Sequence, residues 1–233
     1  MKFLKKIETE NDIYLVTERP NLVLINNTKR VLYNAPTVGV SIQHIDGKLY
    51  STDEWIANGF SKNEANGIAI IDAAARFVVS KQYIDINEYW SNDDSIIEGV
   101  LIAENESDAK KDYAGKANTN IIMQSATSGA VYECANYTFP NGQKGYLPSL
   151  GEWDIVNKYK ADVIAAIEVV GGKLEYSTGT QWLYWSSTQG STGDSAWYYN
   201  WSKSVFYTLG KRDIFKYTPS ARVIFCAFTS LVI

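Results

Sequence analysis

Residues 196–202 read Ala196-Trp197-Tyr198-Tyr199-Asn200-Trp201-Ser202, a strand-like run in which successive side chains point to opposite faces. One face carries Trp197, Tyr199 and Trp201; the other carries Tyr198, Asn200 and Ser202. Aromatic residues are good strand formers, so burial in a β core is the ordinary fate of any one ring. The surrounding stretch, residues 182–228, adds Trp182, Tyr184, Trp185, Phe206, Tyr207, Phe215 and Tyr217, interleaved with Ser, Thr, Gly and Asn. Tyr and Trp offer large amphipathic contact area at little cost in rotamer entropy. For the cluster as a whole, recognition is the favoured reading.

Downstream, residues 222–228 (RVIFCAF) are almost continuously apolar, as expected of a strand buried on both faces. Upstream, the spacing of Trp153, Val156, Tyr159, Val163, Ala166, Ile167 and Val170 predicts a helix over 151–170, ended by Gly171-Gly172. Ile121, Ile122, Ala126, Ala130, Val131, Cys134 and Tyr137 predict another over 117–137, weakened by Gly129. Residues 139–148 read as a compact turn region and 91–116 as a polar, solvated excursion. Residues 68–71 and 76–79 look like buried strands, and 38–50 like a hairpin turning at Asp46-Gly47. A short helix capped by Ser51 or Thr52 follows.

Residues 20–25 and 30–33 flank Asn26-Asn27-Thr28-Lys29 as strand, turn, strand. A lone hairpin is marginal in water, so this one should pack on the main domain or another subunit. With Asn34-Ala35-Pro36 as the boundary, the chain divides into an N-terminal hairpin or assembly segment (1–35) and a main domain (36–233). Strands, then helices, then strands make the fold class α+β.

The composition bounds the chemistry. The chain has 233 residues, 45% hydrophobic, and a formal net charge of −4, the profile of an ordinary globular protein. This argues against a basic nucleic-acid binder. No apolar run approaches the ~18 residues of a membrane span, and residues 1–11 (MKFLKKIETEN) lack a signal-peptide core. The single histidine, His44, lies in a predicted strand beside Asp46 and reads as structural. No zinc, P-loop, dinucleotide or nucleophile-elbow spacing occurs. Asp93-Asp94 and the acids of 104–108 lack a calcium-loop pattern and read as solvated. Cys134 and Cys226 are either buried thiols or a disulfide, which over so long a loop would add ~4 kcal/mol.

The motifs GYLPSLGEW (145–153), YWSSTQ (184–189), AWYYNWS (196–202) and RVIFCAF (222–228) together resemble C-type-lectin-fold domains of bacterial and phage proteins. Within that group they most resemble the variable proteins diversified by retroelements in gut Bacteroides and their phages. The likeness covers most of 117–233. It implies a C-type lectin fold with two helices and a short twisted antiparallel sheet. It also implies a diversified region at about 186–228, altered through adenine mutagenesis of Asn-type codons. Such codons do not yield Lys, Trp, Gln, Glu or Met, so Trp185, Trp197, Trp201, Gln189, Lys203 and Lys211 are expected as scaffold. The permitted ligand-binding positions are Gly190, Ser191, Asp194, Tyr198, Tyr199, Asn200, Ser202, Val205, Tyr207, Thr208, Leu209, Arg212, Asp213 and Phe215. Tyr199 shares a strand face with two tryptophans, which also fits a core position. Ile224 stands where the family pattern often has a second arginine.

The implied function is non-catalytic receptor binding, with no cofactor or metal. A cell-surface protein or glycan would be the ligand, and the protein would act as an adhesin on a phage tail, virion or cell surface. Symmetric homo-oligomers would add avidity. Formylglycine-generating enzymes share the fold but need reactive cysteines and metal. A structural virion or fimbrial subunit, with its aromatics buried against a partner, is the third reading.

Overall fold

A computed structural model of the chain describes residues 3–8, 13–17, 22–25, 38–84, 89–174, 181–213, 221–224 and 226–231. Strands β1 (Phe3–Glu8), β2 (Ile13–Thr17) and β3 (Leu22–Ile25) form an antiparallel sheet in that order. β3, the first strand of the expected N-terminal hairpin, pairs with the preceding β2. Its expected partner, 30–33, and the boundary at 34–36 lie outside the described residues.

The hairpin at 38–50 forms as read. β4 (Gly39–His44) and β5 (Leu49–Tyr50) are joined through Gly47 at φ 90°, a conformation glycine adopts without strain. Ser51 then caps α1 (Thr52–Asn58). Its hydroxyl accepts the Glu54 N–H at 3.2 Å, and the Glu54 carboxylate accepts the Ser51 N–H at 2.9 Å. β6 (Ala65–Ile71) and β7 (Arg76–Val79) contain the two apolar runs, almost wholly buried.

The excursion at 91–116 is less solvated than its composition suggests. It contains β8 (Ile102–Ala103) and α2 (Glu106–Ala109), and buries Ser91, Ile97, Val100, Ala103, Ala109 and Asp112. Both long predicted helices are divided. The first becomes α3 (Gly115–Ile122) and α4 (Ala130–Asn136). Gly129 (φ 96°) lies so close to the Tyr89–Ser91 backbone that a Cβ there would sit 2.9 Å from the Tyr89 carbonyl oxygen. The second breaks at Tyr159 (φ −102°, ψ 18°) into α5 (Leu150–Lys158) and α6 (Lys160–Val169).

The last strands are β9 (Gln181–Gly190), β10 (Ser195–Asn200), β11 (Val205–Gly210), β12 (Ala221–Ile224) and β13 (Phe228–Ser230). The apolar run at 222–228 is therefore not one strand. β12 runs parallel to β9, whereas β13 pairs antiparallel with β7 in the other large sheet. The chain crosses between sheets through fully buried Cys226 and Ala227. The sheet orders are β13-β7-β6-β4-β5 and β11-β10-β9-β12, with β8 also parallel to β9. The second sheet is thus mixed, not purely antiparallel. Six α-helices and these sheets among the described residues make the fold α+β.

β9 and β10 are buried on both faces. Trp182, Tyr184, Trp197, Tyr199 and Trp201 join Trp153, Phe77 and Phe228 in one apolar cluster. Leu183, Trp185, Ala196 and Tyr198 join Trp90, Val131 and Leu147 in the other. Period-two alternation therefore separates two cores, each large side chain contributing ~1.5–3 kcal/mol by burial.

Candidate functional site

Three tryptophans are held by an indole hydrogen bond as well as by packing, whereas Trp201 is held by packing alone. The Trp153 indole N–H donates to the Trp185 carbonyl (3.1 Å), that of Trp90 to Ser186 (2.6 Å), and that of Trp197 to Ala103 (3.2 Å). Each bond satisfies a buried donor while its ring fills core volume. Trp185, Trp197, Trp201, Gln189 and Lys211 are all buried, as a scaffold role requires; Lys203 is exposed.

The Ser/Thr run beside them faces inward too. Ser186, Ser187, Thr188 and Gln189 are wholly buried. The Ser186 hydroxyl donates to the Trp197 carbonyl (2.8 Å), and Thr188 Oγ1 donates to Asp112 Oδ2 (2.7 Å) while accepting the Leu150 N–H (3.0 Å). Gln189 accepts from the Ile97 N–H and donates to the Ile97 and Val100 carbonyls, holding the 95–101 loop against the end of β9. These polar groups stitch β9 to distant segments. They are not a contact surface.

The exposed side chains of this region belong to the hairpin made by β10 and β11 and to the turns at its end. Tyr207 is 51% exposed, and Ser191, Asp194, Ser202, Thr208, Arg212 and Asp213 are exposed as well; Val205 and Leu209 are half-buried. β11 is the last strand on its side of the sheet among the described residues and spans about 20 Å at ~3.3 Å per residue. Ser202 and Val205 lie at the β10–β11 turn, where Ser204 has φ 56°. Ser191, Asp194, Arg212 and Asp213 gather at the opposite end, where the Lys211 N–H donates to the Asp194 carbonyl (2.6 Å). Between the two ends, Trp185, Tyr198 and Tyr207 are paired across the strands, with ring centroids 6.4 and 6.1 Å apart. This file of rings runs from the core out to the surface.

Four expected contact residues are buried and are corrected accordingly. Tyr199 stacks on Phe206 at 5.0 Å, and its hydroxyl donates to Asn157 Oδ1 at 2.7 Å. Asn200 is 1% exposed, its side-chain carbonyl accepting the Lys203 N–H. Gly190 is buried, and a Cβ there would lie 2.2 Å from Ser195 Oγ. Tyr198 is 9% exposed beneath Tyr207; burial first, and the neighbouring Tyr207 second, push its phenol up to about 12. Phe215 lies outside the described residues.

The structure adds a segment that sequence reading missed. The loop at 92–96 closes over the Asp194–Asp213 end. Arg212 pairs with Asp94 (3.0 Å) and donates to the Asn92 carbonyl, and exposed Ile96 lies against Gly193. The Arg212–Asp94 pair is open to solvent and contributes little stability. Lys211 lies beneath, its ammonium donating to the Ser95 carbonyl and to Gln189 Oε1 (2.8 Å), 4.8 Å from the Trp90 ring centre. Burial pulls it down to about 8, against the opposing pull of Asp93, Asp94 and Asp194. No local signal marks this loop: Asn92 and Arg212 are 120 residues apart.

Cys134 and Cys226 are free, fully buried thiols, so the disulfide reading is set aside. Burial pushes Cys226 up to about 12 and Cys134 well above its ordinary value. His44 is held between Asp46 (2.9 Å) and Glu64 (3.5 Å) and packs on Phe60, a setting that fits its structural reading. Among the described residues no group of three His, Cys, Asp or Glu side chains is placed to hold a metal ion, and no helix is long and apolar enough to cross a membrane. Comparison with protein-family models, curated proteins and solved structures gave no match to this chain.

Proposed function

We propose that this chain is a non-catalytic ligand-binding protein on a C-type-lectin scaffold, of the kind diversified by retroelements. Its ligand surface is the exposed side of β11 together with the turns at 191–194 and 211–213. One observation carries the reading: the hairpin divides into a buried tryptophan frame and an exposed set comprising Ser191, Asp194, Ser202, Tyr207, Thr208, Arg212 and Asp213. Surface substitutions away from such supports usually change stability by less than ~0.5 kcal/mol. A surface of this design accepts new side chains while its backbone stays in place.

The partner is a protein or glycan on a cell surface, met by a virion- or cell-displayed copy of this chain. A standard interface would bury ~800 Å² on this side. Tyr207, half-exposed and backed by Tyr198, has the character of an anchoring ring. The buried thiols weigh against the formylglycine-generating alternative, whose chemistry needs reactive cysteines.

Binding of the labelled full chain to intact bacterial cells, read by flow cytometry, tests the assignment. The combined variant Tyr207→Ala, Thr208→Ala, Arg212→Ala should melt as the parent does and bind at least about tenfold more weakly. Parental binding by that variant would move the site elsewhere.

A further inference from the structure

A concave site lies away from the hairpin. A cleft of about 550 Å³ opens between the β6–β7 turn, α3 and β13, and it shares no lining residue with the β10–β11 face. Its size falls within the ~300–1,000 Å³ usual for small-ligand sites. The lining chemistry is asymmetric. Arg76 and Lys116, both exposed, bring two cations to it, and Lys116 Nζ donates to Ser230 Oγ at 3.2 Å. Among the described residues Arg76 and Lys116 have no carboxylate partner within ion-pair distance. Asn120 adds an amide, and Tyr113, 42% exposed, adds an aromatic ring.

The cleft's one acid, Glu152, is buried with Tyr146, whose hydroxyl donates to Glu152 Oε1 at 2.9 Å. Burial raises the Glu152 carboxyl to about 8, so at neutral pH it is mostly uncharged. The lining presents two cationic side chains, the Asn120 amide and the exposed Tyr113 ring, beside an acid that is buried beneath them.

We propose that this cleft binds an acidic monosaccharide, with Arg76 and Lys116 holding its carboxylate, the ring lying on Tyr113, and Asn120 meeting a hydroxyl. The carboxylate is recognised by charge-assisted hydrogen bonds, for which arginine is best suited. The sugar ring distinguishes this site from a general anion trap, because Tyr113 brings an exposed aromatic ring to the lining and phosphate has no ring to set against it.

The test is NMR or calorimetric titration of the full chain at pH 6.5 with D-glucuronate, D-glucose and inorganic phosphate. Saturable, millimolar glucuronate binding is expected, with glucose and phosphate each at least about tenfold weaker. The double variant Arg76→Ala, Lys116→Ala should lose about tenfold in glucuronate affinity, and Tyr113→Ala should weaken glucuronate while leaving phosphate unchanged. Glucuronate that fails to saturate at tens of millimolar, or that binds no better than glucose or phosphate, would overturn the proposal. Unchanged glucuronate affinity in the folded double variant would do the same. The comparison of the three probes on the parent protein decides the matter even if a variant fails to fold.

Discussion

Trp153→Ala is expected to lower the unfolding free energy by about 3–5 kcal/mol, the range for emptying a large aromatic site in a packed core. Trp153 is fully buried on α5, with ring centroids of Tyr184 at 4.9 Å, Phe228 at 5.0 Å, Tyr199 at 5.6 Å and Trp201 at 6.5 Å. Those neighbours come from β9, β10, β13 and the turn after β10, so this ring joins the helix layer to both large sheets. Its indole N–H also satisfies the Trp185 carbonyl, a bond that alanine deletes. A chain of this size should melt on the order of 10 °C lower. Trp153→Phe, which retains an aromatic ring and loses the donor, should cost less. Urea denaturation reads both effects, and a loss under about 1 kcal/mol for alanine would contradict the packing described.

The second large effect is on pH. Glu152 is buried at the start of α5, where its carboxylate accepts the Ser149 N–H (2.8 Å) and the Tyr146 hydroxyl (2.9 Å). Burial outweighs those bonds and, with Asp112 nearby, lifts the carboxyl from 4.5 to about 8. Between those two values the folded chain keeps a proton that the unfolded chain releases. Stability therefore falls as pH rises through that window, by up to ~1.4 kcal/mol per unit and about 5 kcal/mol across it.

Other shifted groups act elsewhere. Asp72, pulled to about 2 mainly by Lys158, loses its stabilising contribution as pH falls from about 4 toward 2. Lys211, lowered to about 8, favours the fold increasingly above that pH. Glu152→Gln keeps an acceptor for Ser149 and offers an amide donor to Tyr146, without an ionisable proton. Its urea stability should stay nearly level from pH 5 to 8 and exceed the parent's by about 3 kcal/mol at pH 8. Parallel profiles for the two proteins would show that Glu152 does not titrate in this window.

What the sequence disclosed was local. Asp46-Gly47 and Ser51 announce their turn and cap because the groups involved are within a few residues of one another. The alternation at 196–202 correctly separates Trp197, Tyr199 and Trp201 from Tyr198. Gly129 weakens the first helix in the sequence, but the cause of its break, the Tyr89–Ser91 backbone against Gly129, is tertiary, and apolar spacing runs straight across Tyr159. The switch of sheets at Cys226 was hidden by a run equally apolar on both sides. The Ser/Thr run at 186–188 looked like surface because its partners, Asp112 among them, are dozens of residues away. The same holds for Tyr199, whose hydroxyl partner Asn157 is 42 residues away, whereas Ser191, Asp194, Tyr207, Arg212 and Asp213 are exposed.

The central claim is that exposed hairpin positions vary while the tryptophan frame is fixed. Deep sequencing of codons 186–228 across a natural population, together with any neighbouring near-copy of the gene, tests it most directly. The expected result is substitution concentrated at 191, 194, 202, 207, 208, 212 and 213, traceable to adenines of the copy, with Trp185, Trp197 and Trp201 invariant. Substitutions spread evenly over exposed and buried codons, or no variation at the exposed ones, would contradict it.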